Sequence, residues 1–122
     1  MNRIWIAFGA FAGLTAVAMA AAAAHGLPER LDAAALQMVR NAVQMQGWHA
    51  LALVLCGVWA VRGGPPLVAW AGGAFAAGLL LFCGSVYLLA LGGIRLPAIA
   101  PAGGTLLMIG WALLGLAAFR AG

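Results

Sequence analysis

Lysine is absent from this 122-residue chain, and Glu29 and Asp32 are its only acids. With 7% charged residues against 66% hydrophobic ones, and a mean hydropathy of +1.09, it cannot cover a water-soluble core with polar surface. Six arginines give a formal net charge of +4. They stand singly at positions 3, 30, 40, 62, 95 and 120, so they form no basic patch and no nucleic acid partner is expected. Neither acid falls inside an apolar stretch, which removes the usual carboxylate of proton-coupled transport. Cys56 and Cys83 have no Cys-x-x-Cys spacing, and both fit small buried apolar positions. No Gly-x-Ser-x-Gly elbow and no phosphate-binding loop occurs, so no catalytic set, metal site or cofactor is expected.

What the chain does contain is four apolar stretches, about 4–24, 42–61, 66–92 and 97–119. A helix crosses the hydrocarbon core with about 20 residues. Paired backbone groups inside lipid require helices here, because the runs are continuous rather than alternating and too long for barrel strands. The expected fold is an all-α membrane protein, a four-transmembrane-helix antiparallel bundle, with residues 1–122 as one integral membrane domain. The first stretch shares small residues near Ala24 with secretory leaders but is long for one, so it is assigned to the first span.

His25–Asp32 is the longest polar connection. Gly26 and Pro28 fit a helix end, and Asp32 fits the N-cap of the next helix. Leu36, Val39 and Val43 continue helical spacing, which predicts a helix from Ala33 through Val61. That is about 29 residues, or ~43 Å, longer than one crossing. A short interfacial or extended helical segment therefore precedes the second span, with either protruding first turns or a bend near Gly47. The connections at 62–66 and 92–97 are tight. Small pairs such as Gly9 with Gly13, Gly72 with Ala76, and Gly110 with Gly115 allow close helix approach. They also make a homo-oligomer or a membrane protein partner an expectation to test.

Both termini fall on one side, together with Arg3, Arg62 and Arg120. Arg30, Arg40 and Arg95 fall on the other. Arginine counts balance, and the N-terminal amine tips the termini toward the cytoplasm.

Hydrogen-bonding residues gather near the His25 loop. The candidate ligand-binding set is His25, Gln46, His49, Ser85 and Tyr87, expected to converge in one polar half of the bundle. Histidine within lipid marks a candidate site, although an interhelical hydrogen bond explains it equally. A Ser85–His dyad would suit an intramembrane hydrolase. Histidine with Met38, Met45 or Cys56 would suit copper.

Ala24-His25-Gly26-Leu27, Gln46-Gly47-Trp48-His49-Ala50-Leu51-Ala52-Leu53, Phe82-Cys83-Gly84-Ser85-Val86-Tyr87, Pro101-Ala102-Gly103-Gly104 and Gly110-Trp111 run through the chain. Together they resemble small bacterial four-helix membrane proteins containing domain of unknown function 423, related to animal transmembrane protein 256. Ala22–Ala24, Cys83, Ala100 and Met45 depart from that pattern. The resemblance implies four helices and an inner-membrane location but no activity. The functional expectation is a non-enzymatic membrane protein that binds a membrane lipid, a quinone-like molecule or a protein partner at the polar half-bundle.

Overall fold

The computed structural model describes residues 3–120. Met1, whose amine entered the orientation count, lies outside them. Four long helices, α1 (Arg3–His25), α2 (Ala33–Val61), α3 (Leu67–Gly92) and α4 (Ile99–Arg120), follow one another, with a 3-10 turn at Leu27–Glu29 between the first two. No strand occurs among the described residues.

Local chemistry sets the helix ends. Pro28 sits within the 3-10 turn and prevents α1 from running on. Gly26 keeps φ −97°, so α1 ends without a left-handed cap. The Asp32 carboxylate accepts from the Ala35 N–H at 2.8 Å and opens α2. α2 then continues unbroken through Gly47, so the residues before the second apolar stretch extend the same helix and form no separate piece. Along its outward face Gln37, Arg40, Asn41 and Gln44 are exposed polar residues, followed by Trp48, Leu51, Leu55 and Val58. Gly93, at φ +68°, closes α3 in the left-handed conformation that glycine adopts without a Cβ penalty.

α1 packs on α2, α2 on α3, and α3 on α4, while α1 and α3 scarcely touch. Contacts such as Gly9 with Val54 and Ala12 with Gln46 run in opposite chain directions, as do Phe75 with Gly110 and Gly78 with Gly103. Successive neighbours are therefore antiparallel. α1, α3 and α4 are each long and apolar enough to cross a membrane. α2 falls short by composition because Gln44, Gln46 and His49 dilute it. Connectivity nevertheless makes it a crossing helix. α1 and α3 run in the same direction, so the chain must return through α2 to start α3.

Large apolar side chains face outward, among them Phe11, Leu51, Trp70 and Phe119. Such a surface is costly in water and ordinary in lipid. Inside, the core is built from Leu53, Cys56, Val68, Phe75, Leu79 and Leu107. Glycine brings the helices close. A Cβ on Gly9 would stand 2.7 Å from the Ala50 carbonyl oxygen, and one on Gly110 would stand 2.6 Å from the Phe75 ring. Gly115, by contrast, faces nothing within 4 Å.

Candidate functional site

Gln46 ties three helices together. It is almost fully buried on α2 and uses both ends of its amide. Nε2 donates to the Ala12 carbonyl oxygen at 2.9 Å and to Thr15 Oγ1 at 2.7 Å, both on α1. Oε1 accepts from the Tyr87 hydroxyl of α3 at 2.7 Å. The geometry follows from helix direction. Side chains lean toward their own N-terminus, and α2 and α3 are antiparallel, so Gln46 and Tyr87 lean toward each other. The Ala12 carbonyl can only accept, which fixes the amide orientation and obliges Tyr87 to donate.

One turn further along α2, His49 makes a second link. Its Nδ1 lies 2.6 Å from the Met45 carbonyl oxygen, and its Nε2 lies 3.0 Å from Trp111 Nε1 on α4. A carbonyl only accepts and an indole N–H only donates, so the ring is the neutral Nδ1–H tautomer with both nitrogens engaged. Phe75 completes the packing, edge-on to Trp111 with ring centroids 5.1 Å apart and 5.6 Å from His49. With no free ring lone pair, His49 is poorly placed as a copper ligand or a general base. No group of three or more His, Cys, Asp or Glu gathers among the described residues. Leucine at position 49 would leave the Trp111 N–H without its acceptor. The indole proton NMR signal of Trp111 should then move upfield, while Ser85→Ala should leave it in place.

Ser85 and His25 stand apart from this network. Ser85 Oγ donates to the Phe82 carbonyl of its own helix at 2.9 Å. It lines a small cleft between α3 and α4 with Arg95 and Leu96. His25 is the exposed last residue of α1. The structure thus brings Gln46 and Tyr87 together, sets His49 beside them, and leaves Ser85 and His25 elsewhere. The reason for Ser85 is simple: two residues apart on a helix, Ser85 and Tyr87 are about 200° apart around the axis.

Thr15 and Trp111 complete the two links and were not among the expected site residues. Thr15 had a legible signal, since it is the one hydroxyl in the first apolar stretch. Trp111 had none beyond its place after Gly110. Among the described residues, no buried side-chain nitrogen or oxygen is left unpaired.

α1 and α3 both rest on α2 without closing on each other, which leaves a groove of about 310 Å³ between them. Gln46, Thr15 and Tyr87 supply its polar floor, and Phe8, Phe11, Leu79 and Leu80 its apolar walls. Phe11 and Leu80 are each 64% exposed, so the mouth opens on the lipid-facing surface. Gly84 also lines the groove, and a Cβ there would meet nothing within 4 Å. A second, purely apolar groove of about 400 Å³ lies on the other face, between Trp48, Leu51 and Trp111.

Residues 19–104 match the family described as "Protein of unknown function (DUF423)". The chain is similar to a UPF0382 membrane protein of Staphylococcus aureus, 38% identical over 120 residues that cover 97% of each chain. It is similar to a UPF0382 membrane protein of Staphylococcus saprophyticus, 36% identical, with 97% of this chain and 98% of the relative covered. It is also similar to the UPF0382 inner membrane protein YgdD of Escherichia coli, 33% identical, with 98% of this chain and 92% of the relative covered. No solved structure matches.

Proposed function

This chain belongs to the DUF423 (UPF0382) family of membrane proteins of unknown function, and from that premise we propose that it binds a membrane amphiphile in the groove between α1 and α3. The cell membrane is its place of action, as the inner-membrane name of the Escherichia coli relative suggests. The observation that carries the reading is the groove itself. It combines apolar walls, a lipid-facing mouth and three converging polar side chains, the usual composition of a small-ligand site. At about 310 Å³ it has room for a ring or a stretch of acyl chain, so a lipid or quinone-like molecule would seat one end there and leave the rest in the bilayer. A non-enzymatic role fits, because the engaged His49 and self-bonded Ser85 offer no base–nucleophile pair.

A photoactivatable fatty acid tests the proposal in proteoliposomes. Crosslinks should concentrate on Phe11, Leu80 and Gly84, and Gly84→Leu should remove most of them, since Gly84 lines the groove and a Cβ there meets nothing within 4 Å. Crosslinks spread evenly over outward residues such as Trp70 and Phe119, unchanged by Gly84→Leu, would overturn it. Crosslinks between two protein chains across Phe11 and Leu80 would assign the groove to a protein partner instead.

A further inference from the structure

The groove's hydrogen-bonding balance restricts what it can hold. Every donor on its polar floor is already committed. Both N–H bonds of Gln46 go to α1, one to the Ala12 carbonyl oxygen and one to Thr15 Oγ1. The Thr15 hydroxyl proton returns to the carbonyls of its own helix, 3.0 Å from Phe11 and 3.2 Å from Ala12. The Tyr87 hydroxyl proton goes to Gln46 Oε1. The Cys83 thiol, also in the lining, points at the Ala42 carbonyl oxygen at 3.6 Å. The remaining lining residues are apolar and lie in helices, where backbone N–H groups bond along the helix.

Acceptor capacity is left over. A carboxamide oxygen has two lone pairs and a phenol oxygen has two, and the Gln46–Tyr87 bond uses one on the glutamine alone. The Ala12 carbonyl fixes this polarity. Turning the amide over would set its oxygen against the Ala12 carbonyl oxygen, which loses that bond and leaves two acceptors facing each other in a buried place.

We infer that the groove selects an amphiphile whose seated end carries an O–H donor, such as a phenol, a hydroquinone or a lipid hydroxyl, over the matched carbonyl or ether. The ligand hydroxyl donates to a free lone pair of Tyr87 or Gln46 while its tail leaves between Phe11 and Leu80. A carbonyl or ether oxygen in the same place meets only acceptors. It must either stay unpaired or break one of the bonds that join the helices. In a water-poor groove either outcome is unfavourable. This inference rests on the groove reading above and adds the chemistry of the occupant.

Two probes of nearly equal shape separate the possibilities: 4-decylphenol, which has the donor, and 4-decylanisole, which does not. Each is titrated into the full-length protein in nanodiscs, and the amide NMR signals of Thr15, Gln46 and Tyr87 are followed, with Gly84→Leu as the filled-groove control. The expected result is an apparent affinity about tenfold higher for the phenol, the size of one hydrogen bond gained, with both responses lost in Gly84→Leu. Equal affinities that vanish in Gly84→Leu would overturn the donor inference and leave the groove reading standing. Responses that are the same in the wild type and in Gly84→Leu would overturn both. If Gly84→Leu does not give a folded spectrum, Leu80→Trp serves as the control, because its larger side chain stands at the exposed rim.

Discussion

Alanine at Gly103 should destabilise the protein, while alanine at the adjacent Gly104 should leave it as stable as before or more so. Both substitutions gain helix propensity, about 1 kcal/mol for each glycine replaced in a helix interior. They differ in what the new methyl meets. At Gly104 the nearest atom is Cδ1 of the Phe82 ring, 3.9 Å away, an ordinary contact. At Gly103 the methyl would strike the Phe82 backbone nitrogen, the Phe82 Cα at 2.9 Å and the Gly78 carbonyl oxygen at 2.9 Å. These are backbone atoms of α3, so no side chain can turn aside and the two helices must separate. The relation is reciprocal, because a Cβ on Gly78 would stand 2.9 Å from the Gly103 carbonyl oxygen. Overpacking of this kind costs about 1–3 kcal/mol, and more where backbone must move. In lipid, helix association depends on close packing more than on the hydrophobic effect, so the loss falls on the main force holding α3 to α4. Unfolding from mild detergent into a denaturing one should show a lower midpoint for Gly103→Ala and an equal or higher one for Gly104→Ala. Equal midpoints would mean that α3 and α4 are not in backbone contact here.

The same glycines show where reading the sequence succeeds and where it stops. Helix identity was legible because each apolar stretch is long enough to cross lipid and is bounded by Pro, Gly or Asp with a definite local role. Asp32 is the clearest case, predicted as an N-cap and found bonded to the Ala35 N–H. Register between helices was not legible. In a chain with 18 glycines, small-residue spacing identifies many faces and selects none. Gly9 proved to be a point of close approach, Gly115 did not, and the Gly78–Gly103 crossing was not picked out. The site divided for the same reason. Gln46 and His49 were visible as polar residues in an apolar helix. Their partners depend on which turn of α1 and α4 lies opposite, which is decided by those crossings. Ser85 was grouped with Tyr87 by its nearness in sequence, although helical geometry puts the two on opposite faces.

Leucine at Gln46 should loosen the protein at the join of three helices, even though it is nearly the same size and better suited to lipid. The substitution leaves the Tyr87 hydroxyl without its acceptor and Thr15 without its donor, and removes one bond to the Ala12 carbonyl. Interhelical polar bonds in membrane proteins average about 0.6 kcal/mol each and reach ~1.7. Three lost together, with the Tyr87 oxygen left in an apolar groove, set an expected loss of about 2 kcal/mol. Gln44→Leu is the control. It lies on the outward face of the same helix, where the exposed side chain has no partner, and should change stability little. Tyr87→Phe alone should cost less than Gln46→Leu, because the two bonds from Gln46 to α1 survive. Tyr87→Phe made in the Gln46→Leu background should cost almost nothing further, since the bond it removes is already gone. α1 touches α3 only slightly and depends on α2 for its place. The loss should therefore appear as faster hydrogen exchange in α1 before any change in the α3–α4 pair. Independent, additive costs for the two substitutions would mean that Gln46 and Tyr87 do not act through a shared bond.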